Sequence, residues 1–230
     1  MKKIIGLLLI ISIITNLYAQ ENFLIISGGI SQPKNDFASI DFSNSDAAFA
    51  EQGYNFNFEM SYYINDFVGF GANLRFSKLG FNSETYNSEL KENFIDILDS
   101  VFLKSRDYNV HNFLFGPYLK VTFLERVTIY GKTFFGVMST FRPNQLLAYR
   151  ETGAEIIEIP IEGKFVGAIA VNFGAGLIVK ITDGFGFTIS ADYIFAKPKF
   201  EEFNLKTFEV VEEKQPIVLK NFNAGIVLAF

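Results

Sequence analysis

Strict alternation of apolar and polar residues is the feature that most constrains how this chain can fold. In "GYNFNFEMSYYI", residues 53–64, the even positions carry Tyr, Phe, Met and Ile, and the odd positions carry Gly, Asn, Glu, Ser and Tyr. The segment "FVGFGANLRFSK", residues 67–78, repeats the pattern with Gly, Asn, Arg and Ser on its polar face. A period of two is that of a β-strand with two chemically different faces. The sequence therefore predicts a strand at each segment.

Six further segments alternate in the same way. They cover residues 22–32, 109–123, 126–140, 163–181, 185–197 and 216–230. Most of these eight segments are longer than the roughly 5 or 6 residues of a strand in a soluble domain. They are long enough to provide the roughly 9–11 residues that a tilted strand needs to cross a bilayer.

The connections between the predicted strands alternate between short and long. The tripeptides "NDF", "LER" and "TDG" join strands two and three, four and five, and six and seven. The long connections are residues 33–52, 79–108, 141–162 and 198–215. Short turns at one end and long loops at the other are typical of outer-membrane barrels. The predicted fold is all-β: an eight-stranded antiparallel up-and-down transmembrane β-barrel with short periplasmic turns and four long extracellular loops.

The chemistry of the two faces distinguishes a membrane barrel from a soluble one. The chain has 28 Phe and 10 Tyr, and most of them share one face of the predicted strands. The lumen of an eight-stranded barrel is just wide enough to be filled by side chains. Because that many aromatic rings do not fit inside, we expect the aromatic face to contact lipid and the polar face to fill the lumen. The alternative, a secreted lipocalin-like carrier, requires the reverse.

The first residues predict export from the cytoplasm. Lys2 and Lys3 precede a mainly apolar run at residues 4–14, and Ala19 is a small residue suited to cleavage. This is the pattern of a secretory signal peptide, and the run is shorter than the roughly 18 residues of a membrane-spanning helix, the alternative considered. We expect residues 1–19 to be a signal peptide and 20–230 to be the outer-membrane β-barrel domain. The predicted location is the cell outer membrane.

Composition limits the partners. The chain has 20 Lys and Arg against 25 Asp and Glu, and removing Lys2 and Lys3 makes the mature chain more acidic still. An acidic balance argues against nucleic acid. The expected partners are outer-membrane lipid, lipopolysaccharide, the barrel insertion machinery, and an extracellular or envelope protein that the sequence does not identify.

Charged residues on the polar face predict a network inside the lumen. A buried charge is costly without a partner, so we expect these side chains to pair. The tight turn after strand two places Glu59 within diagonal reach of Arg75, and "LER" aligns Tyr118 with Lys132. The predicted lumen charge network comprises Glu59, Arg75, Lys120, Lys132 and Asp192. Its expected role is a plug, and the alternative is a path for protons or ions.

The last strand carries a second signal. "FNAGIVLAF" alternates apolar residues and ends on Phe230, and the last strand must pair with the first because lipid does not tolerate an open sheet edge. Together with "YAQ" and "HNFLFGPYLKVTF", this strand resembles the small outer-membrane β-barrel domain proteins common in Bacteroidota, the OmpX-like and PorT-like barrels. That resemblance implies a C-terminal insertion signal that includes Phe222 and Phe230.

Three other motifs suggest chemistry only weakly. "GFGANL" at Gly69 and "GAGLIV" at Gly174 lack the third glycine of a nucleotide-binding loop, so we interpret them as lumen filler. "DFSNSD" from Asp41 begins like a calcium loop but lacks its glycine and closing glutamate, which favours a solvated acidic turn over weak ion binding. No cofactor or metal site is predicted.

His111 is the chain's one histidine, and enzymes that modify lipid A on barrels of this size need such a residue. It shares the parity of the lipid-facing Phe113, so we expect it outside, near the outer rim. In the second long loop, apolar residues spaced by three and four predict a short helix within 88–103, with an upward extension of strand four as the alternative.

The expected function is that of a non-enzymatic outer-membrane barrel that acts through its loops or as a structural component. The alternatives are a lipid A-modifying enzyme that uses His111 and an accessory subunit of a secretion or uptake machine.

Overall fold

The computed structural model describes residues 21–94, 98–151, 153–204 and 209–230, and the predicted signal peptide lies outside them. Within these ranges no helix is long and apolar enough to cross a bilayer. The elements, in chain order, are β1 (Phe23–Lys34), a 3₁₀ turn (Asn35–Ala38), β2 (Ala50–Tyr63), β3 (Val68–Phe81), α1 (Ser83–Phe94), β4 (Leu98–Ser105), β5 (Tyr108–Phe123), β6 (Val127–Phe141), β7 (Gln145–Glu151), β8 (Ile157–Ile161), β9 (Phe165–Thr182), β10 (Phe185–Ala196), β11 (Lys199–Asn204), β12 (Glu209–Lys214) and β13 (Ile217–Ala229).

The long strands form a closed antiparallel barrel, which confirms the predicted fold class. Around the barrel the order is β1, β2, β3, β5, β6, β9, β10 and β13, and β13 returns to pair with β1. The closing seam runs from Phe23 opposite Ala229 to Lys34 opposite Val218. Because each barrel strand pairs with the next one along the chain, the topology is up-and-down and no barrel edge stays open.

The eight predicted strands match the eight barrel strands to within three residues at each end. The three short turns also stand where they were predicted, and the register after "LER" is confirmed: Phe123 lies opposite Val127, and Tyr118 lies opposite Lys132. Asn22 and Phe230 meet at this same side, where they exchange backbone hydrogen bonds of 3.0 and 3.1 Å. The barrel therefore has one end made of short turns and one end made of loops.

The faces are oriented as the alternation predicted. On β2, Phe56 and Phe58 point outward, whereas Asn57 and Glu59 are buried in the lumen. The same outward set on β3 and β5 includes Phe70, Leu74, Phe76, Phe113, Phe115, Leu119 and Val121. An exterior covered with such residues has no counterpart on ordinary soluble domains, whose exposed apolar patches are small. The arrangement required by a soluble carrier, with the aromatic face inside, is absent from the described barrel.

The lumen is less polar than the alternation predicted. The aromatic residues buried inside it include Phe23, Tyr63, Tyr118, Tyr130 and Phe134. Small residues opposite make room for them: a Cβ at Gly71 would lie 2.8 Å from Phe134 Cζ and 2.9 Å from Tyr118 Cδ2. Four clustered charges cannot fill a lumen of this length, so apolar side chains complete the packing.

The loops contain structure that the sequence did not predict. In a three-stranded sheet, β7 of the third long loop pairs with β4 of the second long loop on one side and with β8 of its own loop on the other. β11 pairs with β12 as a hairpin. The helix predicted within 88–103 begins earlier, since α1 spans Ser83–Phe94. The residues from 98 form β4, which belongs to the loop sheet and is not an extension of the fourth barrel strand. Residues 95–97 of the predicted helix lie outside the described residues.

Candidate functional site

Four charged side chains meet in the middle of the lumen. The Arg75 guanidinium binds Asp192 with Nη2 2.5 Å from Oδ2, and Lys132 Nζ lies 3.0 Å from Asp192 Oδ1. Lys132 also pairs with Glu59. All four side chains are almost completely shielded from solvent. Two cations and two carboxylates balance, so the cluster is neutral, as burial requires.

Amide and hydroxyl groups surround this four-residue charge cluster. Tyr118 donates its hydroxyl proton to Glu59 Oε1 at 2.7 Å, and Asn73 donates to Glu59 Oε2 at 3.1 Å. Asn223 and Asn172 donate to the two Asp192 oxygens at 3.1 and 3.3 Å. Only Tyr118 was named from the sequence, through its alignment with Lys132. Each asparagine stands at an inward position of its strand, and this parity is the sequence signal that identifies it as a lumen residue.

The predicted direct pair between Glu59 and Arg75 is wrong in detail. Glu59 lies opposite Asn73, and Arg75 lies opposite Asn57, so the two charges are diagonal neighbours as expected. Arg75 nevertheless reaches across the lumen to Asp192 on β10, and Glu59 binds Lys132 on β6. In a narrow barrel, a charged side chain can reach a partner on the opposite wall as easily as one on the adjacent strand. The partner of a lumen charge is therefore not always the neighbouring charge in the same hairpin.

Lys120 does not join the charge cluster. Its Nζ lies 3.8 Å from the centroid of the Tyr63 ring and donates to the backbone oxygen of Glu21 at 2.9 Å. Lys120 stands two residues nearer the short-turn end than Tyr118, which lies opposite Lys132. Period-two spacing reports the face of a residue and not its neighbours across the lumen, so Lys120 was grouped with the wrong charges.

Aromatic side chains fill the lumen between the charge cluster and the short-turn end. Tyr118 stacks on Tyr130 with centroids 5.1 Å apart, and Tyr63 contacts both Tyr118 and Phe23, at 5.9 and 5.8 Å. Phe134, which stands on the loop side of Lys132 along β6, also packs against Tyr118 at 5.9 Å. This aromatic layer closes the lumen, as expected for eight strands, which leave no aqueous channel.

Gly174 provides the space that the charge cluster occupies. A Cβ built on Gly174 would lie 2.5 Å from Lys132 Cε and would collide with the carboxylate of Asp192. The glycine pairs on β3 and β9 thus face the lumen, in accordance with their interpretation as filler. Neither glycine pair stands at the start of a helix.

We expect Gly174→Ala to lower the free energy of unfolding by about 1–3 kcal/mol, because overpacking displaces the ion pair. Urea unfolding of the protein refolded into lipid vesicles measures this change. Gly167→Ala on the same strand is the matched control, since a Cβ there meets nothing within 4 Å. Equal stability of the two variants would contradict the proposed role of Gly174.

The remaining predicted residues lie apart from the lumen cluster. His111 points outward, and its ring lies 5.2 Å from that of Phe76 in an edge contact. Phe222 also faces outward, and Phe230 is exposed at the short-turn end. On the neighbouring strand β6, Ser139 lies directly opposite His111.

The acidic turn at Asp41 satisfies its own carboxylate. The Ser43 hydroxyl and backbone N–H donate to Asp41 Oδ1 at 2.7 and 2.9 Å. These hydrogen bonds, and mainly that from the Ser43 side chain, hold the pKa of Asp41 below its usual value. Among the described residues no group of three or more metal-ligating side chains converges.

The loop sheet and α1 form an ordered layer at the loop end. Val101 and Leu103 on β4 pack against Leu90 of α1. Asn87 fastens the helix to β4 through hydrogen bonds of 2.9 and 2.6 Å to the backbone of Leu103. On the same helix, burial raises the pKa of Tyr86.

The far edge of the loop sheet presents an uncovered apolar face. On β8, Ile157, Ile159 and Ile161 are 44%, 41% and 39% exposed, and they lie beside Tyr149, Leu147 and Gln145 of β7. Glu158 and Glu162 are exposed next to these isoleucines. The edge itself carries Pro160, which has no N–H to donate and so discourages the addition of another strand.

The closed barrel, its apolar exterior and its filled lumen together define the fold of a small outer-membrane β-barrel. Solved structures support this assignment. The chain is similar to the outer-membrane protein OprG of Pseudomonas aeruginosa, with 12% identity, coverage of 91% of this chain and 96% of that one, and a TM-score of 0.50.

Two further barrels are similar at lower TM-scores. The attachment invasion locus protein Ail of Yersinia pestis has 16% identity, coverage of 91% and 98%, and a TM-score of 0.47. Neisserial surface protein A has 10% identity, coverage of 92% and 99%, and a TM-score of 0.48. No protein-family model matches the sequence, and no curated protein matches it significantly.

Proposed function

We propose that this protein is a non-enzymatic integral protein of the cell outer membrane that acts by presenting its ordered loop layer to a protein partner. The observation that carries the proposal is the three-stranded sheet of β4, β7 and β8, built from two separate loops. Long connections with structure of their own usually serve a function. The proposed residence in lipid follows from the apolar exterior of the barrel.

A pore and an enzyme are less well supported. The aromatic layer fills the lumen below the charge cluster, so passage of solutes would require several buried rings to move. His111, the residue on which a lipid A-modifying enzyme would depend, contacts Phe76 on the outer surface. Assignment to the Bacteroidota barrels, export by residues 1–19, and an insertion signal that includes Phe222 and Phe230 are parts of the same proposal.

The uncovered face of β8 defines the chemistry of the partner. Three isoleucines supply an apolar centre on one face of β8, and Glu158, which alternates with them, is exposed on the opposite face. A complementary protein surface has an apolar centre of its own. An accessory role in a larger envelope machine is compatible with such a contact.

Co-purification from native membranes tests this proposal. We expect the wild-type chain to retain a defined partner, and Ile159→Glu to lose it because a charge enters the apolar centre. Ile40→Glu is the matched control, since Ile40 is 50% exposed in the first loop, outside the loop sheet. Retention of the same partner by Ile159→Glu, or the absence of any partner relative to an unrelated barrel, would contradict the proposal.

A further inference from the structure

Two exposed lysines are neighbours on the outer wall of the barrel, at its loop end. Lys220 of β13 lies opposite Gln32 of β1, and Lys34 follows two residues later as the last residue of β1. Both lysines are exposed, and they share the outward faces of Phe222 and Ile30. Diagonal neighbours of this kind are about 7–8 Å apart, within reach of long side chains. These two residues, the lysine pair, therefore concentrate positive charge at one place on the rim.

The described part of the chain supplies no counter-ion for the lysine pair. Neither lysine forms an ion pair with a described residue, and the Lys220 ammonium lies instead 4.9 Å from the centroid of the Phe222 ring. Lys78, an outward lysine at the loop end of β3, differs because Asp107 binds it at 3.0 Å. A charge beside an apolar surface is costly without a partner. The lysine pair is therefore suited to an anion from outside the chain.

An open groove on the outer wall extends from Lys220 across three strands. Its floor consists of small outward-facing residues in register, Gly131 of β6, Ala175 of β9 and Ala191 of β10. The packing of the barrel does not require the small size of Gly131, since a Cβ there would meet a backbone oxygen at 3.9 Å and nothing closer. Leu119 lies opposite Gly131 and bounds the far end of the groove.

Aromatic rings border the groove on the loop side. Phe173 of β9 lies opposite Tyr193 of β10, and Tyr193 lies opposite Lys220. The two rings are exposed and stand two residues nearer the loops than the floor residues of their strands, so they project beyond the floor. The groove is thus mainly apolar along its length and positively charged at one end.

Charge and shape together define the occupant. A mainly apolar groove that begins at two cations fits a molecule with a hydrocarbon chain and an anionic head. This site rests on the proposed residence in the outer membrane, in which Lys34, at the end of its strand, lies at the level of the lipid headgroups. We propose that this face binds a lipid with an anionic phosphate headgroup, with the phosphate between Lys34 and Lys220 and an acyl chain in the groove.

Fluorescence quenching by brominated lipids tests the site, because the chain has no tryptophan and a single reporter can be introduced. Tyr193→Trp places the reporter opposite Lys220, and Tyr54→Trp, the matched control, places it opposite Lys78. The protein is refolded into phosphatidylcholine vesicles that contain a minor fraction of brominated phosphatidylglycerol or of brominated phosphatidylcholine.

The Tyr193→Trp reporter should show tighter binding of the anionic lipid, by about fivefold for each lysine, the usual contribution of a cation near an anionic membrane surface. The Tyr54→Trp reporter should be quenched equally by the two lipids, because Asp107 already neutralises Lys78. The preference at Tyr193→Trp should fall in high salt, which screens exposed charges.

Variants of the Tyr193→Trp chain locate the headgroup contact. Lys34→Gln and Lys220→Gln should each reduce the preference for phosphatidylglycerol about fivefold, and Lys78→Gln should leave it unchanged. The gel-mobility shift between heated and unheated samples shows that each variant is folded.

A second pair of variants locates the acyl chain. Ala175→Phe should fill the groove floor and reduce quenching by both brominated lipids several-fold. Ala224→Phe is the matched control, since Ala224 faces outward on β13 opposite Ile189, away from the groove.

Unchanged preference for phosphatidylglycerol in the folded double variant of Lys34→Gln and Lys220→Gln would overturn the site, as would equal quenching by the two lipids at both reporters. Absence of quenching at both reporters with either lipid would overturn the residence in lipid, and the site with it.

Discussion

Replacing Asp192 with Asn should lower the free energy of unfolding by about 3–5 kcal/mol, the usual cost of removing one partner from a buried ion pair. Asp192 binds both Arg75 and Lys132, at 2.5 and 3.0 Å. Without its charge, two buried cations share the single carboxylate of Glu59. Urea unfolding in lipid vesicles measures the loss, and the temperature at which gel mobility changes gives a second readout.

Two controls make this test specific to the buried charges. Arg75→Met combined with Asp192→Asn leaves the neutral pair of Lys132 and Glu59, so the double variant should be more stable than Asp192→Asn alone. Asp107→Asn breaks the half-exposed pair with Lys78, whose atoms are 3.0 Å apart, and should cost only about 0–1 kcal/mol. If Asp192→Asn costs no more than Asp107→Asn, the charge cluster does not stabilise the lumen.

The second large effect concerns the outer surface. Phe58→Arg should cost about 2–4 kcal/mol, the usual cost of a cation on the lipid face near the bilayer midplane. Phe58 points outward from the half of β2 that is nearer the short turns. It lies between Ile26 of β1 and Leu74 of β3. Unfolding of protein inserted into phosphatidylcholine vesicles provides the measurement.

Depth provides the control for this second prediction. Tyr54 faces outward on the same strand, four residues closer to the loops, and is 64% exposed. Because the cost falls to about 0–1 kcal/mol near an interface, Tyr54→Arg should have little effect. Equal and small effects at both positions would mean that water, not hydrocarbon, surrounds this face.

Local pattern was sufficient to predict the barrel. In a sheet whose two faces meet different surroundings, every second residue reports the same environment, so alternation in β2 and β3 reveals both the strand and its faces. A tight turn also fixes the register of the two strands that it joins. For this reason the position of Tyr118 opposite Lys132 was correctly predicted. The length of the predicted strands and the alternation of short and long connections supplied the rest of the fold class.

Contacts across the lumen and between loops could not be predicted from the alternation of residues along each strand. Pairing of Arg75 with Asp192 depends on strands that are not neighbours in the barrel, and Lys120 shares a face with Lys132 but lies at a different height. Likewise β4 and β7 come from different loops and pair only because the barrel brings the ends of β5 and β6 together. Short strands of this kind carry few alternating positions, so their sequence signal is weak.

The sequence by itself determined the eight strands, their faces, their short turns and the antiparallel order, because each of these follows from residues close together in the chain. The tertiary structure decided which charges pair, where aromatic side chains fill the lumen, and that seven aromatic residues line a cavity at the mouth. The physical reason is the closure of the barrel. Once β13 pairs with β1, side chains far apart in sequence occupy one narrow interior, and their sizes and charges must satisfy one another there.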